Sequence, residues 1–195
     1  MKMVNSYFLI VLLLFGCASS FVKITRETNL ITLNDVQFTA PDTGDWYIRY
    51  PGAKKDEAVL TKQLDQASII IVVARNDIVD PQLKSKSAKE VADDFRNHEK
   101  QIMIEQGVNK GLYTIKDLQM GEIDIQGQIF YTMDYVNVAK ISKVRASLYL
   151  LFPSTAQNDY FIMTLFQEAT PINVEIPDHK PVAVELLKSL TFVKH

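Results

Sequence analysis

The chain has 195 residues, a formal net charge of −2 and a single cysteine, and 47% of its residues are hydrophobic. A near-neutral balance offers no electrostatic footprint for nucleic acid, and one cysteine excludes an internal disulfide. The length suits one domain held together by an ordinary apolar core.

Lys2 is the only charge ahead of an apolar run from Tyr7 to Phe15, which leads into Gly16-Cys17-Ala18-Ser19-Ser20. A positive start, a short apolar segment and small residues at a cut site form the pattern of a secretory signal. The run is far short of the ~20 apolar residues that span a bilayer. Leu14-Phe15-Gly16-Cys17 resembles the lipobox of bacterial lipoproteins, although Phe15 is bulkier than the residue usual there. The resemblance implies that residues 1–16 are a signal peptide and that Cys17 carries a lipid, which leaves no thiol for catalysis or metal binding. It also implies a cell-envelope address and a membrane as partner. By resemblance to lipoprotein sorting in enveloped bacteria, Ala18 in place of the aspartate that retains lipoproteins at the inner membrane implies the periplasmic face of the outer membrane in a source with two membranes.

Residues 17–30 read as a polar tether and residues 31–195 as a single domain. Asp35 to Thr39 alternates as a strand does, and a turn follows at Pro41-Asp42-Thr43-Gly44. Trp46 to Tyr50 is a short aromatic strand closed by Pro51-Gly52. Ala58 to Leu64 forms a weaker strand. Ala67 to Ala74 is so uniformly β-branched that both of its faces are expected to be covered. Ser87 and Glu90 have the spacing of a capping box at the head of a helix reaching about Gln106. Val91, Phe95, His98 and Ile102 recur on one of its faces, and Gly107 reads as a left-handed cap. Four strands follow, Tyr113 to Met120, Gln126 to Val136, Val144 to Phe152 and Tyr160 to Glu168, at hairpin spacing. Asp178-His179-Lys180-Pro181 opens a second helix through Val184, Leu187 and Leu190, and Thr191 to Val193 closes the chain as a strand. The order predicts an α+β fold, an antiparallel sheet flanked by helices.

Trp46 to Pro51, the Ile125-Gln126-Gly127 hairpin, Tyr160 to Thr164 and the closing Leu-Leu-Lys-Ser-Leu-Thr-Phe together resemble the PsbP/DcrB-like group of α/β/α sandwich proteins. The resemblance spans roughly residues 30–194. It implies an adaptor or accessory role without catalysis and supplies no site motif to carry over.

Candidate chemistry is sparse. His98, His179 and His195 lack the spacing of a zinc motif. Glu122/Asp124 and Asp93/Asp94 pair carboxylates without a calcium-loop pattern. Lys84, Lys86 and Lys89 form a basic cluster that would rest on acidic head groups or simply be solvated. No metal or cofactor is expected. Trp46, Tyr47 and Tyr50 crowd one strand, where alternation sends one side into the core and leaves the other as a candidate partner surface. The expectation is a non-enzymatic, membrane-tethered envelope module that binds an envelope protein. A lipid or small-molecule carrier with a hollow between sheet and helix is the alternative, followed by a hydrolase with a dispersed site.

Overall fold

The computed structural model describes residues 21–49, 56–153 and 158–193. Cys17, the expected signal peptide at 1–16, Tyr50, Pro51-Gly52 and His195 lie outside the described residues. The fold begins earlier than the tether expectation allowed. Strand β1, Phe21–Lys23, is already paired, and Ile24 is buried and bonded to Trp46 O through its backbone N–H. Residues from Phe21 onward are therefore part of the domain, and the tether expected over 17–30 is corrected accordingly.

After β1 come β2 (Leu30–Leu33), β3 (Val36–Thr39), β4 (Trp46–Arg49), β5 (Glu57–Gln63) and β6 (Ser68–Asp77). A one-turn helix α1 (Pro81–Lys84), missed in the sequence, precedes the long helix α2 (Ala88–Met103). The meander β7 (Tyr113–Ile125), β8 (Gln128–Ala139), β9 (Ser142–Leu151) and β10 (Tyr160–Pro171) follows, then α3 (Lys180–Lys188) and β11 (Thr191–Phe192). The main sheet has eight strands in the order β1-β4-β5-β6-β10-β9-β8-β7, and a second sheet has three, β11-β3-β2. Every strand pair in both is antiparallel. The fold is thus α+β and mostly antiparallel, with two sheets where one was expected.

Alternation along the central strands explains the layering. Ile69, Ile71 and Val73 of β6 face one core with Trp46, Phe166, Tyr149, the small sheet and the buried side of α3. Val72 and Ala74 face the other core with Val91, Ala92 and Met103 of α2. The apolar run in β6 is covered on both sides, as its composition required. No helix among the described residues is long and apolar enough to cross a membrane.

Ser87 and Glu90 form the capping box of α2 reciprocally. The buried stripe of α2 runs through Val91, Ala92, Arg96 and Met103, with Phe95 packed against the same core, while His98 and Ile102 of the expected face are half-buried beside it. The helix widens into a π turn, Ile104–Val108, and Gly107 sits buried inside it instead of capping it. The left-handed glycine is Gly111, at φ 67°. Gly107 is needed for close approach, since a Cβ there would lie 1.9 Å from Cζ of Tyr113.

Strand β7 continues through Gly121 to Ile125, beyond its expected end at Met120. The reversal comes at Gln126 and Gly127, both at positive φ (55° and 79°), between the paired Ile125 and Gln128. A two-residue loop with two left-handed positions is the hairpin turn that matches strand twist.

Candidate functional site

The expected partner surface divides. Trp46 is 1% exposed and packs in the core, with the Lys62 ammonium 5.7 Å from its ring centre, so it is corrected from surface to core residue. Tyr47 points to the opposite face and is 37% exposed.

The basic cluster is knit into carboxylates. Lys84 meets Asp159 at 2.7 Å, Lys86 meets Asp94 at 2.5 Å and Lys89 meets Glu122 at 2.7 Å. Hydrogen bonding to these partners raises the pKa of Lys86 and Lys89. The carboxylate pairs are likewise occupied separately. Asp124 Oδ1 accepts the Gly127 N–H at 2.7 Å and shapes the hairpin, while Asp93 pairs with Arg96. Among the described residues no group of three or more His, Cys, Asp or Glu comes together to hold a metal.

Two places gather polar chemistry. The first is a layer where the start of α3 meets the main sheet. Glu168 is fully buried on β10, and its Oε1 lies 2.6 Å from Nδ1 of His179. Its Oε2 has no hydrogen-bond partner among the described residues. Two strands over, Asp134 Oδ1 accepts from the Ser147 hydroxyl at 2.5 Å and from Lys180 Nζ at 2.7 Å. Arg145 donates to Pro177 O at 3.0 Å and approaches Asp178. Asp178 does not cap α3 by the usual geometry; His179 holds the cap position, and Asp178 Oδ1 accepts the Lys180 N–H at 3.3 Å. Burial, with the Asp134 charge adding, pushes the Tyr149 hydroxyl well above its ordinary range. Glu168 and His179 are hydrogen-bonded partners. The Ser147 hydroxyl, however, is turned to Asp134, so serine, histidine and glutamate do not form the relay that activates a nucleophile. The signal that could have found this layer is Glu168, the only charged residue between Tyr160 and Ala169.

The second is a groove of about 1040 Å³ between the head of α2 and the β7–β8 hairpin. Tyr131, Phe152, Phe192 and Ile129 give it apolar walls, and Lys84 and Asn158 line its rim. Its volume is that of a ligand-sized cleft. One wall is fixed by Arg96, a residue the sequence gave no reason to place inside. Arg96 is 3% exposed and donates from Nη1 to Gly121 O and Thr132 O, both at 2.8 Å, on the two strands of the hairpin. Asn158 donates to Lys86 O at 2.6 Å and braces the other wall. The interior between sheet and α2 is packed by contrast. The void bounded by Phe95, Glu99, Met133, Tyr135 and Leu148 holds about 20 Å³, room for a water and not for an acyl chain.

No protein-family model matches the sequence, and no curated protein matches it. Solved structures do. One is a crystal structure from Bacteroides thetaiotaomicron VPI-5482, at 10% identity and a TM-score of 0.43, matching 83% of this chain. The match spans 46% of that protein's length, less than half of it. A solution structure of cyanobacterial PsbP from Synechocystis sp. PCC 6803 matches at 14% identity and a TM-score of 0.43, over 91% of this chain and 95% of that one. LpqN of Mycobacterium tuberculosis, described as involved in cell envelope biogenesis, matches at 10% identity and a TM-score of 0.41, over 90% and 91%. Likenesses this distant transfer no activity and no partner.

Proposed function

We propose that this protein is a lipid-anchored, non-catalytic module of the cell envelope that presents its groove to a partner. The observation that carries the reading is the lipobox-like Leu14-Phe15-Gly16-Cys17 running within four residues into the folded strand at Phe21. An anchor on Cys17 would hold the domain against the membrane, because four extended residues reach at most about 14 Å. The groove supplies the binding part of the reading. Aromatic walls with a polar rim suit an apolar side chain of a partner segment. The reading gives the Glu168–His179 pair a structural role, the imidazole meeting a buried carboxylate where α3 joins the sheet.

The test is photocrosslinking in intact cells from Ile129, in the groove, and from Leu112, an exposed control position. A discrete adduct formed from Ile129 alone, and lost with Cys17→Ala, is the expected result. Equal labelling from both positions, or labelling indifferent to Cys17, would contradict the proposal. The groove volume also favours a small amphiphilic ligand as a second reading. Native mass spectrometry of the purified protein would then show a bound molecule that Ile129→Asp removes.

A further inference from the structure

We infer that the β1–β4 edge of the main sheet is the surface that meets the membrane. The inference rests on the anchoring reading and names the face that the anchor brings down.

Strand β1 is three residues long, lies at the edge of the eight-stranded sheet and is exposed throughout. It carries apolar side chains on both of its sides. Phe21 is paired with Arg49 and Val22 with Ile48, so consecutive residues point to opposite faces. Phe21 is 38% and Val22 48% exposed. Tyr47, on the neighbouring strand, shares the Phe21 face and is 37% exposed. An apolar edge left uncovered by the described residues is a liability in water, where it templates pairing with another chain. Aromatic and apolar side chains at an edge are instead at home in the head-group region of a bilayer.

Chain length chooses the occupant. Cys17 is four residues from Phe21, so a lipid on Cys17 confines Phe21 to within about 14 Å of the acylated residue. Strand β7, at the far side of the sheet, is seven strand spacings away, about 34 Å at the usual separation. The nearest cation on the edge, Lys23, is paired with Asp45 at 2.6 Å, which makes the contact apolar more than electrostatic. With β1 against the bilayer, the hairpin wall of the groove faces away from it, toward whatever the envelope offers.

Cys17 is the only cysteine, so a maleimide-bearing lipid attached there holds the chain from Cys17 onward on vesicles whether or not the cell acylates it. The vesicles are phosphatidylethanolamine and phosphatidylglycerol, and the readout is amide hydrogen exchange against the same protein free in solution. Amides of Phe21–Ile24 and Trp46–Arg49 are expected to exchange on the order of tenfold more slowly on vesicles, with those of Tyr113–Ile125 unchanged. Phe21→Ser/Tyr47→Ser, equally folded by circular dichroism, is expected to lose that protection. Protection that survives the double substitution, is uniform over the domain, or falls on β7 overturns the inference. Protection of the β1–β4 edge in solution, through self-association on size exclusion, overturns it in favour of a second copy. An unmodified Cys17 in cells would defeat the anchoring reading alone, and the coupled protein keeps the two failures apart.

Discussion

Gly107→Ala is the sharpest test of the packing beneath α2. A Cβ at this position would lie 1.9 Å from Tyr113 Cζ, 2.2 Å from its hydroxyl oxygen and 2.3 Å from Cε1. Ordinary contact is nearer 3.5 Å, so the ring must move by about 1.5 Å or the π turn must open. Moving the ring breaks the bond from the Tyr113 hydroxyl to Met103 O, 3.1 Å long. Overpacking costs about 1–3 kcal/mol and the lost hydrogen bond about 1 kcal/mol more, giving about 3 kcal/mol in all. In a Tyr113→Ala background the clash is gone, and alanine gains about 0.5–1 kcal/mol over glycine in a helical turn. Urea denaturation of the four proteins closes a double-mutant cycle. A coupling energy above about 2 kcal/mol is expected. Equal costs of Gly107→Ala in both backgrounds would refute the close-approach argument and return Gly107 to a purely backbone role.

Four other outcomes follow from the same contacts. Trp46→Ala should cost about 3–5 kcal/mol by chemical denaturation, and Tyr47→Ala no more than about 0.5 kcal/mol, because only the first empties the core. Arg96→Ala strands the Gly121 and Thr132 carbonyls, so a loss of about 3 kcal/mol is expected with faster amide exchange confined to the hairpin. His179→Ala leaves the buried Glu168 without its partner and should cost about 3 kcal/mol, whereas Glu168→Leu/His179→Leu should fall within about 1 kcal/mol of wild type. Burial raises the Glu99 carboxyl, opposed only by the His98 charge, so the folded chain holds that proton more tightly than the unfolded one. Its stabilising contribution is complete below the unfolded carboxylate range and lost as pH rises through the raised value. Glu99→Gln should therefore be more stable than wild type at about pH 7 and level with it near pH 4, read from urea midpoints.

What the sequence made legible was local or periodic. The Ser87–Glu90 capping box, the β-branched run of β6 and the four meander strands each announce themselves within a few residues. The second sheet does not, because β11 finds β3 only after more than 150 residues of intervening chain. Strand β1 is three residues of unremarkable composition, and only its pairing with β4 makes it part of the sheet. Arg96 was hidden by its chemistry, since an arginine beside an apolar stripe reads as solvated until two carbonyls are found waiting for it. The polar layer under α3 was not read from the sequence: Glu168 is the one charge between Tyr160 and Ala169, but its meeting with His179 is tertiary. For Trp46 and Tyr47, alternation stated that the two oppose each other, and only packing decides which is inside.

Whether Cys17 carries a lipid is read by intact-mass analysis of the protein purified from its own membranes. A chain beginning at Cys17 and carrying acyl mass is expected, with the Cys17→Ala variant unprocessed or absent from the membrane fraction. A chain that begins elsewhere, or a Cys17 with a free thiol, would contradict it.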